Sequence, residues 1–343
     1  MTEILYGVSP IGLGHAARAV AVGLKLRGEG LEPVFATGGR AAEFLRAYGF
    51  RVRSVVTAPV PSESGGVMRY PGLWYARYWV GYRSTRSRME SLLSELRPSL
   101  VVGDEEFSSV SIALERGVRH AMISDELELG FARGRFSRYL EKKVAAWYAD
   151  LQNRVSCILV PDFGEDHGNV HFVSPVVRAV TRSREEVRAD LGLGPGAGRM
   201  VLLSASGSGI GDFLLDRTID ALGSLNLSEV TLVVTGLSRG PEREWVRYLG
   251  LARDNQDLVA AADLVVSTAG KSTIDEAASY GSPIIAIPIR HHAEQERNAS
   301  ALGFGHDDLG RLGSLIPRYL GRRMEPRRYH GADSIAAHLK GLL

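Results

Sequence analysis

The stretch DLVVSTAGKSTIDEAASYGSPIIAIPIRHHAEQERN, residues Asp263 to Asn298, decides the fold. Leu264, Val265 and Val266 form an apolar run of buried-strand length, and the small-residue loop Ser267 to Thr273 follows. A helical run from Ile274 to Tyr280, the turn Gly281-Ser282-Pro283, a second apolar run from Ile284 to Ile289 and a polar turn to Asn298 complete the segment. A loop that joins a parallel strand to a helix start leaves unpaired N–H groups at the positive end of the helix dipole, which suits a phosphate or diphosphate. Asp275 and Glu276 lie one turn further on, where a carboxylate suits the vicinal hydroxyls of a ribose. Phosphate grip and diol grip together mean a nucleotide. Glu294, Gln295 and Asn298 follow the second strand, at the carboxyl edge where open α/β sheets bind ligands, and suit the hydroxyls of a sugar.

The order of these elements, Gly then Ser-Thr, an acid, Gly-x-Pro, an apolar strand ending in Pro288 and then Gln-x-x-Asn-Ala, resembles the donor motif of the MurG-type glycosyltransferases. The resemblance implies an α/β protein of GT-B fold, two Rossmann-like domains facing across a cleft, that uses a nucleotide-diphosphate sugar. It implies that Ser272 and Thr273 lie by the diphosphate, Glu276 holds the ribose and Gln295 meets the donor sugar; the loop itself adds Gly270 to the first group, and the sheet edge adds Glu294 and Asn298 to the last. Retaining enzymes of this fold carry a Glu eight positions before the ribose acid. Here that position is Thr268, which favours inversion.

A length of 343 residues suits two domains, and 45% hydrophobic with 23% charged residues is the balance of a globular protein with a full core. With 41 basic against 39 acidic side chains, a general nucleic-acid binder is not expected. Cys157, the only cysteine, falls within an apolar run, and no Cys/His cluster has zinc spacing. No metal and no cofactor besides the nucleotide sugar are expected. The N-terminus lacks a signal-peptide pattern, and no apolar run reaches the roughly 20 residues of a spanning helix. A cytoplasmic protein is expected, peripheral at most to a membrane.

Ile4 to Val8 reads as a buried strand, followed by Ser9-Pro10-Ile11-Gly12-Leu13-Gly14-His15 and a helix from about Ala16 to Arg27. A glycine turn of this kind is weak evidence for a nucleotide. The loop ending in His also resembles the MurG-type N-terminal signature, with Gly12 and Gly14 by the donor. His15 is the candidate general base, kept neutral by the helix dipole; its rival role is to cap the helix or donate to the diphosphate. Pro98 to Val102 and His120 to Ser124 read as further strands, delivering Asp104, Glu105 and Glu106 and then Asp125 to one sheet edge. Asp104 is the alternative base, and Asp125 or Glu105 would orient the acceptor; their plainer role is helix capping.

Met68 to Met89 sets Trp74, Trp79 and four tyrosines among Arg69, Arg77, Arg83, Arg86 and Arg88, with no acid. Such a helix suits an anionic lipid surface, through Arg69, Trp74, Trp79 and Arg83, or equally an ordinary core face with solvated arginines. Phe131 to Trp147 repeats the character.

Val155 to Val160 reads as the last strand of a first domain, 1–173, with a hinge at Ser174-Pro175. The donor domain spans 174–330, and a final helix in 331–343 returns to the first domain, as the resemblance implies. Met200 to Leu203 leads into Ser206, Gly207 and Ser208, which resemble loosely the family's second glycine loop but lack its Gln. The expectation is an inverting transferase moving GlcNAc or a related hexose from a UDP-linked or similar donor to a lipid-linked or small glycan acceptor. Its rivals are a nucleotide-sugar 2-epimerase or hydrolase and a non-catalytic sugar-nucleotide-binding subunit.

Overall fold

The computed structural model describes the whole chain except residues 1–2, 60–61, 70, 126–134, 195–197, 206–210, 226–228 and 238; within its elements the side chains of 62, 71–72, 75–76, 78–79 and 135–141 are also left aside. Ser206, Gly207, Ser208 and the Trp79 side chain therefore lie outside the described residues. In chain order the first elements are β1 Ile4–Val8, α1 Gly14–Gly28, β2 Val34–Thr37, α2 Gly39–Ala47, β3 Arg51–Ser54, β4 Ser62–Ser64, β5 Val67–Arg69 and α3 Pro71–Leu96. They continue with β6 Leu100–Asp104, α4 Phe107–Glu115, β7 His120–Ile123, α5 Arg135–Arg154, β8 Ile158–Val160 and β9 Val170–Phe172. The second half holds α6 Arg184–Asp190, β10 Arg199–Ser204, α7 Asp212–Ser224, β11 Val230–Thr235, β12 Val246–Gly250, α8 Asn255–Ala261 and β13 Leu264–Ser267. The last elements are α9 Lys271–Tyr280, β14 Ile284–Ala286, α10 Ala293–Ala301, a short 3-10 turn His306–Arg311, α11 Leu312–Tyr319 and α12 Gly331–Gly341.

The chain divides into two compact units. Met1–Ser62, Tyr70–Val177 and Tyr329–Leu343 make the first, and Glu63–Arg69 with Arg178–Arg328 make the second. Both are α/β units around parallel sheets.

In the first unit the strand order is β3-β2-β1-β6-β7-β8-β9, and every pairing is parallel. Helices cover both faces, so β1, β2, β6 and β7 are buried throughout and read in sequence as unbroken apolar runs. Phe35 anchors one face, its ring 5.1 Å from Tyr6 and 4.9 Å from Phe50. Helix α12 joins this core through Ile335, Ala336 and Leu339, which pack with α1 residues. The strand expected over 155–160 is shorter, and β9 pairs beyond it, so β8 is not the sheet's edge.

In the second unit the order is β12-β11-β10-β13-β14, again parallel. Helix α9 ends at Gly281 in the left-handed conformation (φ 70°), where a side chain would also run into the Met324 carbonyl. The second unit takes in one piece of the early chain. The hairpin β4–β5 meets the segment that follows β14 in a single bridge: Met68 N–H donates to the Arg290 carbonyl at 3.0 Å, and Arg290 N–H to the Gly66 carbonyl at 2.8 Å. The expected division at 173/174 did not contain this excursion, because the partner of residues 63–69 lies more than 200 positions away in sequence.

Candidate active site

In each sheet the strand order reverses once, between β1 and β6 in the first and between β10 and β13 in the second. The crevice beyond the carboxyl ends at such a reversal is where open α/β sheets hold ligands. The register Val8 to Asp104 and Ser204 to Ser267 sets both sequence motifs at these points.

At the first reversal Gly12 takes φ +70°, and α1 begins at Gly14, so His15 stands in its first turn with 23% of its side chain exposed. Its Nδ1 lies 3.3 Å from the Asp104 carboxylate and 3.9 Å from Asp125. Arg18, one turn on and buried, donates from Nε and NH2 to Asp104 and from NH1 to Asp125. The Tyr6 hydroxyl reaches Asp104 at 3.4 Å. Burial opposes charge on His15, but the hydrogen bond to Asp104 and the charges of Asp104 and Asp125 outweigh both burial and the nearby Arg18. The imidazole is thus held above its ordinary range. This corrects the expectation that the helix dipole keeps the ring neutral: two carboxylates within 4 Å act more strongly than a helix end. Arg18 NH2 also stands 3.1 Å from His15 Nδ1. Because Nδ1 faces a carboxylate in a site where acids outnumber bases, we place the proton on Nδ1 toward Asp104, leaving Nε2 to take another.

Asp104, expected as the alternative base, is bound to Arg18 and lies against His15. Burial alone would raise its carboxyl, but the Arg18 charge and hydrogen bonds bring it below the usual carboxylate range. It is fully buried, and a saturated, buried carboxylate is a poor proton acceptor. Asp125 is committed to Arg18 rather than turned to an acceptor alone. Sequence reasoning missed Arg18, whose signal was available: an arginine one turn after the histidine, in the run Ala16 to Val22 that is otherwise Ala and Val.

At the second reversal the chain turns through Ala269, at φ +61°, into Gly270, which precedes α9 without any side-chain cap. Gly270 brings no side chain to cap the first turn of Lys271, Ser272 and Thr273, and no acid stands in that turn. The helix starts three residues earlier than expected. Asn298 braces the loop by donating to the Ala269 carbonyl at 3.1 Å.

Three expected donor contacts take other partners in this structure. Glu276 is 2% exposed, and both its oxygens accept from Arg178, at 2.9 and 3.3 Å. Its carboxylate faces inward, because a buried charge needs a partner and Arg178 is the partner in reach. Asp275, its neighbour, accepts from the Lys271 ammonium at 2.8 Å. The side-chain oxygen of Gln295 accepts from Ile289 N–H at 3.0 Å, which ties α10 to the end of the strand, and Glu294 beside it is part-exposed.

The aromatic and basic stretch divides between the units. Arg69 is exposed on β5 in the second unit, whereas Trp74 and Arg83 lie on α3 in the first. The Trp74 indole N–H donates to the Pro59 carbonyl at 2.8 Å, so its polar end serves the fold.

Residues 219–305 match the family model Glycosyltransferase family 28 C-terminal domain. An uncharacterized glycosyltransferase of Methanosarcina acetivorans is 24% identical over 88% of this chain and 84% of its own length. The UDP-N-acetylglucosamine--N-acetylmuramyl-(pentapeptide) pyrophosphoryl-undecaprenol N-acetylglucosamine transferase of Alkalilimnicola ehrlichii is 28% identical over 85% of this chain and 79% of its own. Among solved structures, a UDP co-structure of S. aureus MnaA superposes with a TM-score of 0.63 at 11% identity, covering 100% of this chain and 98% of that one. Fold and site define a GT-B glycosyltransferase. Within that class its likeness is to family 28, over residues 219–305, and sugar transfer is the activity that likeness supports.

Proposed function

We propose that the protein moves GlcNAc or a related hexose, with inversion, from a UDP-linked donor to an acceptor hydroxyl or phosphate on a lipid carrier or small glycan. The observation that carries this reading is the start of α9 behind Gly270, with no acidic residue in its first turn, at the reversal point of the second sheet and inside the part of the chain that matches the family 28 domain. Backbone N–H groups there meet the diphosphate and stabilise the charge it gains as the anomeric C–O bond breaks. In the first unit Nε2 of His15 accepts the acceptor proton, and the freed oxygen forms the new bond on the opposite face of the sugar. Base catalysis of this kind is typically worth about 10²- to 10⁴-fold.

For Glu276 the reading requires a change of partner: a ribose diol reaches the carboxylate only when Arg178 shares or releases it. No cofactor beyond the donor enters the scheme, so transfer is expected to persist in chelator. Contact with a lipid surface rests on α3, where Leu73 and Val80 are exposed, one helical face apart by seven residues, beside the exposed Arg77 and Arg83. No described helix is long and apolar enough to cross a membrane.

Incubating radiolabelled UDP-GlcNAc with the protein alone, and then with lipid extract or glycan, tests the proposal. The account expects label in the acceptor fraction only. Conversion of the donor without acceptor would favour an epimerase or hydrolase, and intact donor under both conditions a binding subunit.

A further inference from the structure

Directly after β6, Glu105 takes φ +48°, a left-handed state that is costly for a non-glycine residue and persists where its surroundings impose it. Those surroundings are the end of β7. The Glu105 N–H donates to the Ile123 carbonyl at 3.1 Å, and one of its carboxyl oxygens accepts from the Ser124 hydroxyl at 2.6 Å and from the Asp125 N–H at 3.0 Å. The Ser124 hydroxyl also stands 2.7 Å from the Tyr148 hydroxyl, and both residues are buried. With the serine proton on Glu105, Tyr148 donates that second bond, so a chain of hydroxyls runs from α5 to the Glu105 carboxyl group. One residue thus clamps three in succession, Ile123, Ser124 and Asp125. Glu106 has its charge spent elsewhere: its two oxygens accept from Ser108 and Ser109 N–H, each at 3.0 Å, at the start of α4.

We propose that Glu105 is a positioning residue of the proton-transfer site: by holding the Ser124–Asp125 turn it sets where the Asp125 carboxylate stands against Arg18 and His15, and so how firmly His15 keeps its proton. The proposal rests on the reading of His15 as the base. Asp125 is the link, since its carboxylate accepts from Arg18 and lies 3.9 Å from His15 Nδ1. The ionisable groups that face Glu105 are His15 and Arg18 on α1, Asp125 after β7, Glu106 beside it and Tyr82 on α3, with Arg88 reached through the Thr57 hydroxyl at 3.0 Å. Burial, with the charge of Asp125 added, pushes Glu105 up to about 7 against the opposing effects of His15, Ser124 and Arg18. The clamp therefore gains and loses its charge near neutrality, beside a histidine that titrates in the same site.

Isotope-edited NMR titration of the full-length wild type, E105Q and E105A tests this without donor or acceptor. In the wild type the Asp125 N–H signal is expected to shift with a midpoint of about 7, together with the Glu105 carboxyl carbon. Glutamine keeps an oxygen for Ser124 and Asp125, and alanine keeps none. The His15 midpoint should therefore fall by about half a pH unit or more in E105A and stay nearer the wild type in E105Q. In the same order, kcat/KM for transfer should drop about tenfold in E105A and be largely restored in E105Q. An Asp125 N–H that ignores the Glu105 titration, a His15 midpoint unmoved in E105A, or equal displacement in both variants, the mark of charge alone, would overturn the proposal; the wild-type signal decides it even if a variant fails to fold. Absence of transfer in all three proteins, with the NMR result intact, counts against the transferase reading and not against the clamp.

Discussion

At the scale of single residues, the first unit turns on one charge balance. His15 works as a base only when neutral, and its folded-state range is raised, so transfer should fall away as pH drops through a value above the ordinary 6.5. Asp104→Asn removes the hydrogen bond and the charge that raise it, leaving burial and Arg18 to act. The midpoint of the kcat/KM profile should then move to lower pH, with a lower plateau; an unmoved midpoint would mean Asp104 does not set the state of His15. The same shifts bear on stability. His15 and Glu105 are both raised in the folded chain, so each contributes stability present below its unfolded value and lost as pH rises through the folded one. For Glu105 that window runs from about 4.5 to about 7. In the second unit Arg178→Met leaves Glu276 buried without its partner. A cost of about 3–5 kcal/mol is expected in denaturant unfolding, and a change within error would show that water already reaches the pair.

Among the elements, the hairpin β4–β5 is the one whose removal the second unit should feel. Gly66 holds φ +79°, and an added Cβ would stand 2.7 Å from the Phe213 ring and 3.0 Å from His306. Gly66→Ala combines a disfavoured backbone with that crowding and should destabilise by roughly 1–3 kcal/mol. Hydrogen exchange at Met68 and Arg290, whose N–H groups join the hairpin to the strand, should quicken first; unchanged protection there would place the hairpin's support elsewhere. The hairpin also marks where sequence reading stops. Strands such as β1, β6 and β13 were legible because burial on both faces leaves an unbroken apolar run, and the loops after β1 and β13 were legible because Gly and small residues interrupt those runs. Residues 62–69 carry no such signature, since their pairing is to Arg290. The partners that Glu276 and Gln295 take in this structure were not legible for a related reason. Their residue types fit a ligand, but Arg178 and Ile289 N–H are nearer claimants: the first lies 98 residues from Glu276, and the second is a backbone group that no residue type announces.

For the molecule as a whole, two parallel sheets each reverse their order once, with a carboxylate-held histidine at one reversal and the Gly270-led start of α9 at the other, and the proposed function gives each one half of the chemistry. This arrangement separates proton removal from donor binding, so the two should be separable by mutation. The most direct measurement is single-turnover transfer from labelled UDP-GlcNAc by the wild type and by His15→Ala, with UDP affinity measured calorimetrically on the same samples. The account predicts that transfer falls by about 10²-fold or more while UDP affinity is kept. Transfer at the wild-type rate in His15→Ala, or loss of UDP binding along with activity, would contradict it.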